Sequence, residues 1–163
     1  MKGFTLIEVL LVLALLCLSS FLILGSYQAF LIKKQIDSLE MRLNNMMQFS
    51  RNTALEIGHD VTLTPTDPSG NWSKGIVLFE DNDRHQYTGQ EKILQHWLFE
   101  YSSSIQLQWS GFQSKKYIVF SSNLRHSIAN GHFDILNHGV PVRQLIVNRL
   151  GTTRMRSQYH ASI

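Results

Sequence analysis

The first part of the chain is almost uninterruptedly apolar. Between Phe4 and Ile32 the only side chain with a full charge is Glu8, and Val9–Leu18 is an unbroken apolar run. As a helix, Phe4–Leu24 would be about 30 Å long, which is enough to cross the hydrocarbon core of a bilayer. A buried core helix is the alternative, but no later segment is long and apolar enough to surround one. The pattern therefore predicts a transmembrane segment over about residues 4–28.

Beyond this segment, apolar positions recur at the three- and four-residue steps of an amphipathic helix. The stripe ends at Ile57, and Gly58 offers the left-handed residue that commonly stops a helix. We therefore expect one N-terminal helix over residues 4–57, about 80 Å long. A coiled coil could use this stripe, but Ser50 and Ala54 suit packing on a sheet better. Its members are Ile32, Ile36, Leu39, Leu43, Met46, Met47, Ser50, Ala54 and Ile57.

From Val61 onward the pattern changes to short strands separated by turn residues, with no further helical period. The expected architecture is α+β: a long N-terminal helix packed on an antiparallel β-sheet domain that occupies residues 58–163. Six or seven strands are predicted, at Val61–Thr64, Gly75–Glu80, Gln95–Tyr101, Ile105–Trp109, Tyr117–Ser121, Gly131–Leu136 and Val142–Val147.

Composition limits the possible classes of protein and reveals an uneven charge. The chain has 163 residues, which suits one domain with an appendage, and its single cysteine excludes an internal disulfide and a cysteine-based zinc site. The net charge is +3, but residues 101–163 carry seven basic side chains and one acidic one, Asp134. These basic residues are Lys115, Lys116, Arg125, Arg143, Arg149, Arg154 and Arg156.

Glu8 is the anomaly of the apolar segment. An unpaired carboxylate in hydrocarbon costs about 2.5–3.5 kcal/mol on insertion scales, so it needs a cationic partner. No basic residue lies within two helical turns of Glu8 on its C-terminal side. A free α-amino group at Phe4, in the same chain or in a neighbouring one, would supply the charge.

The sequence Met1–Val9, MKGFTLIEV, resembles the class III leader of type IV pilins and type II secretion pseudopilins. The resemblance implies that residues 1–3 are a leader, that a membrane peptidase cuts after Gly3, and that Phe4 is then N-methylated. It further implies that Glu8 pairs with the terminal amine of a neighbouring subunit during assembly. A plain signal anchor is the alternative.

Four later segments are similar to the GspH/FimT-type minor pilins. This similarity extends the resemblance over nearly the whole chain and implies a type IV pilin-like fold. The segments are Trp72–Asp81, Tyr117–Phe120, Gly131–Ile135 and Arg143–Gly151.

The sequence gives little support for catalysis. It contains no Gly-x-Ser-x-Gly elbow, no P-loop and no Gly-x-Gly-x-x-Gly motif. His126, His132 and His138 lie six residues apart, a spacing that fits no common metal-ligand pair. Asp81 and Asp83 are better explained as a solvated turn than as a calcium loop. We therefore expect no catalytic residue, metal, cofactor or small-molecule substrate, and no enzyme.

The basic C-terminal region is a candidate for binding DNA. On an extended strand, Arg154 and Arg156 would project on one side about 6.5–7 Å apart, which approaches the phosphate spacing of a nucleic acid. Gly151–Arg156 resembles the Gly-Arg-x-Arg element of DNA-binding FimT-like minor pilins, but two residues separate Gly151 from Arg154. A solvated basic tail is the alternative. The candidate residues are Arg149, Arg154, Arg156, Arg143, Lys115 and Lys116.

The resemblance thus implies a minor pilin or pseudopilin. Its expected location is the bacterial inner membrane, crossed once, with the C-terminal domain in the periplasm until the subunit enters a filament. Its expected partners are other pilins or pseudopilins and the prepilin peptidase. Two roles remain open: a subunit at or near the tip of a type II secretion pseudopilus or type IV pilus, and DNA uptake.

Overall fold

The helix begins close to the N-terminus and ends at a glycine. The structure, a computed structural model, describes residues 5–123 and 126–156, without the side chains of residues 18 and 20–26. Helix α1 spans Leu6–Ile57, and the Thr5 carbonyl accepts the amide of Glu8 at 3.1 Å. At the other end the Gly58 amide donates to the Ala54 carbonyl at 3.1 Å, and Gly58 has a φ of 71°. The predicted glycine stop is therefore confirmed.

The chain divides into two units, Met1–Asp37 and Ser38–Ile163. In the first unit most of the described apolar side chains of α1 are exposed, and Leu6, Leu10 and Leu16 each expose more than half of their surface, whereas Ile36 near the end of the unit is buried. Part of the predicted transmembrane segment, namely residue 4 and the side chains of residues 18 and 20–26, lies outside the described residues. Within the part of the chain that is described, no helix combines the length and the apolarity needed to cross a membrane.

The second unit contains eight described strands in two antiparallel sheets. The first sheet has the order β3-β2-β1-β5 and the second the order β4-β6-β7-β8. The strands are β1 Val61–Pro65, β2 Gly75–Glu80, β3 Ile93–Leu98, β4 Ile105–Gly111, β5 Ile118–Phe120, β6 Gly131–Asn137, β7 Val140–Val147 and β8 Thr153–Arg156.

The α+β class, with the helix packed on antiparallel β-structure, is confirmed. Four details differ from the sequence-based prediction. The strands form two sheets where one was expected, β3 lies two to three residues earlier than predicted, and β8 was not predicted. β7 also begins earlier, at Val140, because His138 and Gly139, with φ of 49° and 78°, make a tight hairpin turn directly before it.

The C-terminal part of α1, from Ser38 on, packs on both sheets. Phe49 meets Trp97 of β3 edge-to-face at 5.8 Å between ring centroids. On the other side, the Thr153 hydroxyl of β8 bonds the Asn44 side chain. Ser50 is fully buried and donates to the Met46 carbonyl at 2.8 Å, so burial leaves its hydroxyl satisfied. The buried residues of this part are Leu39, Leu43, Met46, Met47, Ser50 and Ala54.

A cluster of three aromatic rings anchors the second sheet to the loop before β2. Trp72, in the 3₁₀ turn Trp72–Lys74, lies 5.4 Å from Phe133 of β6, and Trp109 of β4 lies 4.7 Å from Phe133. The Trp109 indole donates to the Ser114 carbonyl at 2.9 Å. Gly131 makes room for this ring, because a Cβ there would lie 2.6 Å from it.

Candidate functional site

Arg154 and Arg156 lie side by side on the same face of β8, the last strand of the second sheet. In the register with β7, Arg154 is opposite Ile146 and Arg156 is opposite Gln144. Both arginines are exposed, whereas Met155 between them is half-buried and faces the other way. β8 therefore has the extended conformation that was assumed for placing the two guanidinium groups on one side of the chain.

The same face continues across β7 to β6, where the acidic residue of the C-terminal region already has partners. The Asp134 carboxylate accepts from Gln144 Nε2 at 2.9 Å, and His132 Nε2 lies 3.3 Å from it. Gln144 stands between Asp134 and Arg156 in the register. Asp134 therefore does not occupy the two arginines of β8 in an ion pair, and their positive charge remains at the edge of the sheet.

Arg149 projects from the turn that joins β7 to β8 and is exposed. Asn148 holds this turn, since its side-chain oxygen accepts the amides of Leu150 at 3.0 Å and Thr152 at 2.9 Å. Gly151 has a φ of 73°, and a Cβ there would lie 2.7 Å from the Phe120 ring. Both reasons require a glycine at this position, and β8 begins two residues after it.

The other candidate residues lie elsewhere. Arg143 is on the opposite face of β7 from Gln144, and its Nε lies 3.8 Å from Glu40 of α1. Lys115 and Lys116 are exposed in the loop between β4 and β5, where they line a groove with residues 64–70 and 85–89. The structure thus brings Arg154 and Arg156 together on one face, with Arg149 in the turn that precedes their strand, and places the remaining three apart.

Several predicted positions fall at the ends of the described residues. Glu8 is exposed in the first turn of α1. Gly3, Phe4 and Arg125 lie outside the described residues. Nothing in the sequence pointed to Glu40 as the partner of Arg143, because 103 positions separate them and only the folded sheet brings them together.

Metal-binding groups are not clustered in the described part of the chain, where no three histidine, cysteine or acidic side chains could hold an ion together. Asp81 instead bonds the Thr62 hydroxyl and the His85 imidazole, whose Nδ1 lies 2.8 Å from its carboxylate. These contacts fold the loop after β2 back onto the first sheet, and Tyr87 of the same loop packs on Phe79 at 5.7 Å. The contacts of Asp81 are thus structural.

A long N-terminal helix packed on antiparallel strands defines the type IV pilin-like class. Two crystal structures of the type IV minor pilin FimU of Pseudomonas aeruginosa share the fold, each at 15% sequence identity. The match to the first structure has a TM-score of 0.59 and covers 78% of this chain and 90% of that chain. The match to the second has a TM-score of 0.56 and covers 74% of this chain and 91% of that chain. The family model for the type II transport protein GspH matches residues 41–151, and the chain belongs to this family of minor pilins and pseudopilins. Comparison with curated proteins finds no match.

Proposed function

We propose that this protein is a membrane-anchored structural subunit that assembles at or near the tip of a type II secretion pseudopilus or a type IV pilus. The observation that carries the proposal is the exposed apolar surface of α1 between Leu6 and Leu16, which has only Glu8 as a charged interruption. Such a surface needs lipid or the helices of other subunits around it. The protein works through protein–protein contacts and without catalysis.

Processing follows from the leader. In this proposal the prepilin peptidase removes residues 1–3 by cutting after Gly3, and Phe4 becomes the methylated N-terminus. The apolar segment stays in the mature protein, so the subunit remains in the inner membrane, crossed once, with its C-terminal domain in the periplasm. Gly3→Ala should leave the leader uncut, and intact-mass measurement of the purified chain would reveal it. Normal processing of that variant would contradict the proposal.

Assembly depends on Glu8. Its carboxylate, in an apolar segment, pairs with the terminal amine of a neighbouring subunit, because an unpaired charge there is costly. Glu8→Ala should insert into the membrane normally but lose most of its incorporation into sheared filaments. Glu56→Ala is the matched control, since Glu56 lies on the same helix and is exposed. Equal losses with the two variants would remove Glu8 from the mechanism.

A second role, binding DNA through the basic C-terminal region, is favoured by one observation. Arg154 and Arg156 share one face of β8, and the acid on that face, Asp134, is bonded to Gln144. Guanidinium groups spaced along an extended strand can make bidentate contacts with successive phosphates. Arg149, in the adjoining turn, completes the proposed contact set, to which Arg143, Lys115 and Lys116 contribute less because they lie apart.

Salt dependence tests this role. If about four phosphates are neutralised, the logarithm of the affinity should fall with the logarithm of salt concentration at a slope of about −3 to −4 on duplex DNA. Mobility shift with the detergent-solubilised full chain measures it, and Arg154→Ala and Arg156→Ala should each weaken binding and make the slope shallower. Arg84→Ala, at an exposed arginine in the loop after β2, is the control. Absence of any shift at low salt would refute DNA binding, and unchanged binding by the β8 variants would refute the site.

A further inference from the structure

A groove of about 870 Å³ runs along β4, on the side of that strand away from β6. The 3₁₀ turn Trp72–Lys74, the three residues before it, Phe99 and Tyr101–Ser103 form its other walls. Its volume lies in the range of sites that hold small ligands. Neither the assembly proposal nor the DNA proposal uses any residue of these walls except Lys115.

The walls combine two chemical features. Hydroxyl and amide side chains predominate, and each can both donate and accept hydrogen bonds. Beside them lie the rings of Phe99 and Tyr101, with centroids 5.9 Å apart and planes inclined by 35°, so that the groove also offers an aromatic surface. The polar side chains include Asn71, Gln106, Gln108, Ser102, Ser103 and Ser110.

Tyr101 carries a hydroxyl whose oxygen is buried and has no hydrogen-bond partner among the described residues. A buried polar atom without a partner costs free energy, so its retention calls for a reason. Because Tyr101 also lines the groove, a ligand with hydroxyl groups would supply the missing partner once the side chain turns toward it.

Charge and backbone geometry decide what kind of ligand fits. No carboxylate lines the groove. Of its two lysines, Lys74 pairs with Asp67 at 2.6 Å, so the groove lacks the several cations that binding a phosphate backbone needs. An added peptide strand is also disfavoured. The Leu107 amide, which points away from β6, already donates to the Ser73 hydroxyl at 2.8 Å, and this contact occupies the middle of the β4 edge.

We propose that this groove binds an oligosaccharide. The apolar C–H faces of sugar rings would stack on Phe99 and Tyr101, and their hydroxyl groups would bond the amide and hydroxyl side chains of the β4 wall. A sugar matches both features of the walls at once, because it alternates apolar faces with groups that donate and accept. The site is independent of the two arginines of β8.

Titration calorimetry of the full chain tests this proposal, in lipid nanodiscs so that no sugar-headed detergent competes. Chitotetraose and cellotetraose serve as probes, because the first carries N-acetyl groups and the second does not. Saturable binding of either is the expected result, and the preferred probe identifies the class of sugar. Phe99→Ala should weaken that binding about tenfold by removing half of the stacking surface.

Tyr101→Phe gives a sharper readout. It removes a hydroxyl that has no partner in the fold, so thermal stability should stay equal or rise, whereas affinity for the sugar should fall about fivefold. Phe112→Ala is the control, since Phe112 is 86% exposed in the next loop and does not line the groove. Failure of both sugars to bind, or equal binding by the wild type and Phe99→Ala, would overturn the proposal.

Discussion

At the scale of single residues, Gly131 shows how one missing side chain allows the aromatic cluster to form. A Cβ at this position would lie 2.6 Å from the Trp109 ring and 2.7 Å from the Gly111 Cα. Trp109 cannot move easily, because it is buried and its indole donates to the Ser114 carbonyl. The Gly111 Cα belongs to the backbone of β4, which is held in the sheet. The glycine is therefore fixed by packing and not by its backbone conformation, since its φ is not positive.

We predict that Gly131→Ala lowers the free energy of unfolding by about 1–3 kcal/mol, the usual cost of overfilling a packed site. Urea unfolding followed by tryptophan fluorescence measures the loss. When Gly131→Ala is combined with Trp109→Phe, the double variant should lose less stability than the two single variants lose together, because the smaller ring leaves space for the added methyl group. Strict additivity would show that the clash is not with Trp109.

Glu91 holds the loop before β3 by accepting several hydrogen bonds. Its carboxylate accepts from the Thr88 amide and the Thr88 hydroxyl, each at 2.7 Å, and from Asn82 Nδ2 at 3.1 Å. These bonds favour the charged form, and they lower the pKa of Glu91 from its ordinary 4.5 to about 2, with the Thr88 hydroxyl as the largest cause. Because the pKa falls on folding, the bonds stabilise the loop fully above pH 4.5.

We predict that this loop loses its anchoring only as the pH falls through about 2. Amide chemical shifts of Thr88 and Gly89, followed by NMR from pH 6 to pH 1.5, should titrate with that midpoint. The shifts should lose this titration in Glu91→Gln, which has no ionisable group at this position. A midpoint near 4.5 in the wild type would mean that the hydrogen bonds do not form in solution.

At the scale of elements, strand β7 separates Arg143 from the two arginines of β8, although all three look equivalent in the sequence. Arg143 faces α1, where its Nε lies 3.8 Å from Glu40, whereas the opposite face of β7 adjoins Arg154 and Arg156. Both partners of the Arg143 pair keep about 30% of their side-chain surface exposed, so solvent screens the pair and its contribution is small.

We predict that a double-variant cycle of Arg143→Gln and Glu40→Gln gives a coupling free energy of about 0.5 kcal/mol, within the usual range for a partly exposed ion pair. Chemical unfolding of the four proteins measures it. Arg143→Gln should also leave the affinity for DNA almost unchanged, unlike Arg154→Gln. A larger loss of DNA binding from Arg143→Gln than from Arg154→Gln would contradict the division of roles along β7 and β8.

The elements of the fold differ in how far their own residues predict them. The helix stripe predicted burial of Ser50 and Ala54 against strands, and both are fully buried, because a three- and four-residue repeat has one structural explanation. β2, β4 and β6 were found from their apolar residues. β8 was missed because three of its four residues are polar and its partner strand, not its sequence, makes it extended.

The sequence likewise predicts one part of the candidate site and not the other. That Arg154 and Arg156 share a face follows from strand periodicity alone, so the sequence could predict it once an extended conformation was assumed. The contacts of Asp134 with Gln144 and of Arg143 with Glu40 depend on strand register and on helix packing. Local sequence carries no signal for such pairings, and the groove beside β4 was missed for the same reason.

At the scale of the whole molecule, exposed apolar surface and buried core lie in different parts of the chain. The exposed apolar side chains of the first unit run from Leu6 to Leu31, whereas the core of the second unit begins at Leu39. The second unit contains both sheets, the aromatic cluster and the groove beside β4, and its buried apolar side chains run from Leu39 to Val147.

We predict that a chain starting at Ser38 folds cooperatively and stays monomeric without detergent. The physical reason is that this truncation removes exposed apolar surface and leaves the buried residues from Leu39 onward in place. Near-ultraviolet circular dichroism should retain the tryptophan signal of the full chain, and thermal unfolding should be a single transition. Loss of that signal with secondary structure retained would show that the first 37 residues are needed for packing.

The position of β8 at the end of its sheet has a consequence for solubility. A terminal strand presents backbone donors and acceptors that can pair with the same strand of a second copy and begin an aggregate. Two copies of β8 placed edge to edge would bring four guanidinium groups together on one face, and their repulsion opposes this pairing. Arg154 and Arg156 thus protect the edge that β8 forms among the strands the structure describes.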